Sequence, residues 1–166
     1  SHTPQDFLDR LFLLRAGFLS PAELSDWAAD LIAAASPSEV PNLTDLVLAC
    51  TTALSPQQDA GAILERLGQE ADGNRALAVV ADRYRQQVEA GVLPPDEAIH
   101  RIEAFIGTRF ELLTAEQHRF LNEASFNINT WPQSDYPWAE IIGRLVPAAL
   151  LSLSRPAMFQ PNPACS

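Results

Sequence analysis

Ala16-Gly17-Phe18-Leu19-Ser20-Pro21-Ala22-Glu23-Leu24 decides the fold, because it closes one helix and opens another within a few residues. The same plan recurs as Ala90-Gly91-Val92-Leu93-Pro94-Pro95-Asp96-Glu97-Ala98. In each copy the glycine stands just past a helix end, where a left-handed backbone carries no Cβ penalty. Phe18 or Val92 then folds back on the last turn. Ser20 is a good N-cap, Pro21 suits the first helical position, and Glu23 stands where a capping-box acid reaches back. Leu19 and Leu24 occupy the two ends of a hydrophobic staple. Position 94 is proline, so the second copy lacks the capping hydroxyl and a weaker cap is expected. The pair reads as two helical hairpins built on one plan.

The flanking segments carry the helical period. Thr3-Pro4-Gln5-Asp6 opens a first helix with Phe7, Leu8, Leu11, Phe12 and Leu14 on one face. From Pro21 to about Ala35, the positions Leu24, Trp27, Ala28, Leu31, Ile32 and Ala35 form an apolar stripe, which places Trp27 in the core. A third helix is expected from Pro41 or Asn42, carrying Leu43, Leu46, Val47, Cys50 and Leu54. A fourth is expected from the Ser55-Pro56-Gln57-Gln58 capping box. Asp72-Gly73-Asn74 reads as a turn. A fifth helix follows from Arg75 to Glu89, and a sixth presents Ile99, Ile102, Phe105 and Ile106.

Thr114-Ala115-Glu116-Gln117 is a further capping box. After it, Ser125 to Trp138 is rich in Asn, aromatic residues and Pro, and most of it reads as an ordered surface loop. Asp135 is placed to cap a last helix beginning near Pro137, which Pro147 is expected to kink. Residues 154–166 hold several prolines and read as an extended or frayed tail. No stretch alternates with period two. The expectation is an all-α single domain over residues 1–166, a multi-helix bundle of about eight helices built from αα-hairpins.

The totals narrow the function. The chain has 166 residues and a formal net charge of -10, and all its Lys+Arg side chains are arginine. Nucleic-acid binding needs a concentrated basic face, and anionic membranes need the same, so both are excluded as partners. A basic protein partner fits the charge. Two widely spaced cysteines, Cys50 and Cys165, make no disulfide framework. With no basic-then-apolar leader legible, a reduced, cytoplasmic setting is expected. Cys50 lies on an apolar face, where a thiol is inert.

Candidate chemistry is sparse. Glu97-x-x-His100 has the spacing of carboxylate-bridged di-iron bundles, but the other internal histidine, His118, has Ala115 three residues before it. No metal or other cofactor is therefore expected. Phosphate-cradling and nucleophile-elbow motifs are missing from the sequence. Glu23, Asp26 and Asp30 form an acidic stripe beside and behind the Leu24/Trp27/Leu31 face. It reads either as a solvated face or as a docking surface for a basic partner. Residues 1–60 are acidic throughout, with Asp6, Asp9, Glu39, Asp45 and Asp59 added to that stripe against Arg10 and Arg15. The segment from Phe126 to Trp138 has the composition of a binding hot spot, with Trp131, Asp135 and Tyr136 as its candidate contacts. Its tryptophans could equally plug the end of the bundle.

Leu24-x-x-Trp27-Ala28-x-Asp30-x-Ile32 followed by Pro41-x-Leu43-x-Asp45-Leu46 resembles small acidic helical immunity proteins of bacterial toxin–immunity systems. The resemblance covers roughly the first third of the chain. It implies a stoichiometric, cofactor-free binder that occludes a toxin domain. The candidate contacts are chosen on charge and composition, not carried over from that family. The leading expectation is a non-enzymatic inhibitor of a basic protein. The alternatives are a small helical enzyme with a carboxylate/His site between helices, or a structural adaptor assembling through the apolar C-terminal helix.

Overall fold

The computed structural model describes residues 4–38, 40 and 71–156. These residues are helical, with no strand among them. The helices are α1 (Pro4–Ala16), α2 (Pro21–Ala34), α3 (Gly73–Glu89), α4 (Pro95–Ile106) and α5 (Ala115–Thr130). The last helix, α6, is continuous over residues 137–153. It has three pieces: Pro137–Glu140, a π turn at Ile141–Leu145, and Val146–Leu153. The third and fourth helices expected from sequence lie outside the described residues, as does the tail beyond residue 156. The chain divides into two compact units, residues 1–80 and 81–166.

Both glycine turns close in the same way. Gly17 and Gly91 have φ of 86 and 73. The Gly17 N–H donates to Leu14 C=O at 3.1 Å, and Phe18 N–H to Leu13 C=O at 2.9 Å. At the second turn Gly91 N–H donates to Val88 C=O at 3.1 Å, and Val92 N–H to Gln87 C=O at 2.9 Å. This double closure is the Schellman motif, and it satisfies carbonyls that a helix end otherwise leaves bare. The next helices start differently. Ser20 Oγ accepts from Glu23 N–H at 3.1 Å, and of the expected capping pair only that half is formed. Pro94 holds the equivalent extended backbone but supplies no side-chain cap.

In the first unit, Phe7, Leu24 and Leu31 form the buried seam, with Leu14, Leu19 and Trp27 partly buried against it. Trp27 is therefore a half-buried flank and not the core residue its spacing predicts. Its ring meets Phe7 edge-on with centroids 4.9 Å apart, and the Arg10 guanidinium lies 3.8 Å over it. The cation covers what the core does not. Asp72-Gly73-Asn74 is likewise not the turn its composition predicts, because Gly73 and Asn74 are already helical. The Asp72 carboxylate accepts from Asn74 N–H at 2.9 Å and so caps α3, which starts at Gly73.

One side chain ties α1 to the start of α3. Buried Gln5 accepts from Asp72 N–H at 2.6 Å and donates to Asp72 C=O at 3.0 Å. The same amide donates to Asp9 at 2.8 Å. Both backbone groups of Asp72 are thereby paired, as a part-buried peptide requires.

In the second unit the apolar faces run at helical spacing. Ile99, Ile102 and Ile106 of α4, Leu121, Ala124 and Ile128 of α5, and Ile141, Leu145, Val146, Ala149, Leu150 and Leu153 of α6 are buried. α5 packs on α6, and α4 packs on both. Thr114 and Gln117 form the full capping box, at 3.1 and 2.9 Å. Buried Gln117 also donates to the carbonyls of Ser152 and Arg155 at 3.2 and 3.3 Å. The start of α5 thus satisfies the end of α6.

Two expectations are corrected here. Residues 125–130 are the end of α5, not loop. Their polar side chains bond back along the helix instead of competing with it. Asn127 Nδ2 donates to Glu123 C=O at 2.8 Å, and Thr130 Oγ1 to Phe126 C=O at 2.6 Å. The helix stops at Trp131, whose extended backbone is what the following proline demands. Second, Asp135 does not cap α6 with its side chain. The cap position is Tyr136, without a side-chain bond, and Asp135 supplies its carbonyl to Trp138 N–H at 3.0 Å. Pro147 leaves α6 unbroken. The helix widens just before it, so that Val146 N–H reaches Ile141 C=O, five residues back.

Gly17→Ala and Gly91→Ala should each destabilise the protein by about 1–2 kcal/mol. An added Cβ meets nothing within 4 Å at either site, so the cost is backbone strain alone. Chemical unfolding of both variants measures it, and an unchanged midpoint would show that the turn relaxes.

A pH effect follows from Asp9. Burial raises its pKa, with the Gln5 hydrogen bond and Arg75 opposing. The folded value lies above the unfolded one, so the ionised carboxylate lowers stability at neutral pH. That loss is relieved as pH falls through the folded pKa. Asp9→Asn removes the charge and keeps an acceptor for Gln5. It should be at least as stable as the parent near neutrality, and should lose the gain on acidification. Urea unfolding across that range tests this; a variant weaker at neutral pH would mean that the carboxylate stabilises the fold.

Candidate binding surface

The acidic stripe is built by the phase of α2. Leu24, Ala28 and Leu31 point into the seam, which leaves Glu23, Asp26 and Asp30 exposed on the remaining surface. The offsets of three and four residues make successive carboxylates neighbours on the helix. No described residue forms an ion pair with any of them, and the last turn of α2 holds no basic residue. Glu23 lies in the first turn, where the helix dipole favours negative charge. Asp30 has no such compensation. Nearby on α1, Arg10 is occupied by the Trp27 ring and by the Asp6 carbonyl at 3.3 Å.

The second group follows α5 and belongs to the second unit. Trp131 is 41% exposed, and its N–H caps the helix by donating to Asn127 C=O. Pro132 to Tyr136 forms a tight connection, with Asp135 N–H on Pro132 C=O at 3.1 Å. Asp135 is exposed, and Tyr136 is 91% exposed. Trp138 is half-buried, so of the two tryptophans it is the better candidate for a packing role. Phe126 is 68% exposed and was not among the contacts chosen from sequence. Its phase identifies it, because Leu121, Ala124 and Ile128 take the inner face of α5 and leave position 126 outside.

The residues considered for catalysis are engaged separately. Glu97 accepts from Arg101 Nε at 3.2 Å, one turn along α4, and His100 is exposed. The His118 ring meets Phe110 edge-on at 5.4 Å and lies 3.3 Å from the Asn122 amide. Among the described residues no group of three or more His, Cys, Asp or Glu side chains is placed to hold a metal. Cys50 lies outside the described residues. The apolar side of α6, on which an adaptor surface would depend, is turned into the core, leaving Leu151 as its exposed large apolar residue. No described helix is long and apolar enough to cross a membrane.

Comparison with known proteins gives no match, whether to a family model, a curated protein or a solved structure.

The two exposed and half-buried tryptophans separate structural from surface roles. Trp27→Ala should cost about 2–3 kcal/mol, at or below the low end for a large core truncation, because the ring is only partly buried. Trp131→Ala should change stability by less than about 1 kcal/mol. Thermal or urea unfolding of both variants checks the contrast; equal losses would place Trp131 in the packing. Purified protein should also carry no stoichiometric iron or zinc. One bound equivalent lost on Glu97→Gln and His100→Ala, by elemental analysis, would restore the metal reading.

Proposed function

We propose that the chain is a protein-binding inhibitor of the immunity-protein kind, which occludes a basic partner such as a bacterial toxin domain in the cytoplasm. In this reading the whole chain is a bundle of about eight helices built from αα-hairpins. The observation that carries the proposal is the exposed Glu23, Asp26 and Asp30 stripe, which no described residue neutralises. Solvated carboxylates on one rigid helix face add their fields, steer a basic partner and orient its docking. Trp131 and Tyr136 supply the desolvated contact that charge alone does not. Asp135, beside them, offers an acceptor for an incoming arginine or lysine.

The two groups should fail differently when altered. Asp26→Arg with Asp30→Arg should slow association by about tenfold at low salt and flatten its salt dependence. Its circular dichroism should match the parent, since both side chains face water. Trp131→Ala should mainly speed dissociation, by about thirtyfold if it contributes ~2 kcal/mol. The measurement is recovery of a partner from the native host, followed by binding kinetics with each variant. A partner held as tightly by both variants as by the parent would remove these residues from the interface.

A further inference from the structure

We draw no further inference here: the strongest candidate, the exposed aromatic side chains of Phe126, Trp131 and Tyr136 at the end of α5 and in the connection after it, is a surface patch for which nothing in the structure shows what covers it.

Discussion

Two glycines in left-handed backbone hold the architecture together at its turns. A helix that ends leaves its last carbonyls without donors, and water or the next few residues must satisfy them. At Gly17 and Gly91 the chain reverses sharply enough for two successive N–H groups to return to the helix they have just left. A residue with a Cβ reaches that geometry only with strain. The reversal delivers Leu19 beside Phe7 and Leu24, so a local backbone constraint sets up a tertiary seam. At the second turn the same closure brings Leu93 out of solvent.

Two other helix ends also draw on long-range bonds. Gln5 and Gln117 are both buried, and each spends its amide on backbone groups far away in the chain. A buried amide left without partners costs more than an apolar residue of the same shape. Here that cost is offset by bonds to backbone groups at the start of α3 in one unit and at the end of α6 in the other. Among the described residues no buried side-chain nitrogen or oxygen lacks a partner.

Charge is treated unevenly over the surface. On α3, α4 and α6 some carboxylates meet arginines one turn away: Asp82–Arg85–Glu89, Glu97–Arg101 and Glu140–Arg144. Exposed pairs of this kind contribute little to stability, but they cancel the local field. The carboxylates of α2 form no such pairs among the described residues, and neither do Asp96 and Glu103 of α4 or Glu116 and Glu123 of α5. The difference is one of local potential and not of fold.

Local chemistry alone determined the helical class, the two glycine turns, the Thr114–Gln117 box and the buried phase of α2 and α4. Each depends on residues within about one or two turns of each other, where spacing and backbone geometry are decisive. The outward direction of Glu23, Asp26 and Asp30 was legible for the same reason, since it is the complement of the Leu24–Ala28–Leu31 face. What tertiary structure decided lay beyond that range. Asn127 and Thr130 look like loop formers until a packed inner face at Ala124 and Ile128 keeps the helix intact around them. Trp27 is half-buried because Phe7 and Arg10 approach it from α1, a pairing that its own helix does not encode. The buried glutamines read as ordinary polar residues in sequence, because the groups they satisfy arrive only when distant segments of the chain meet.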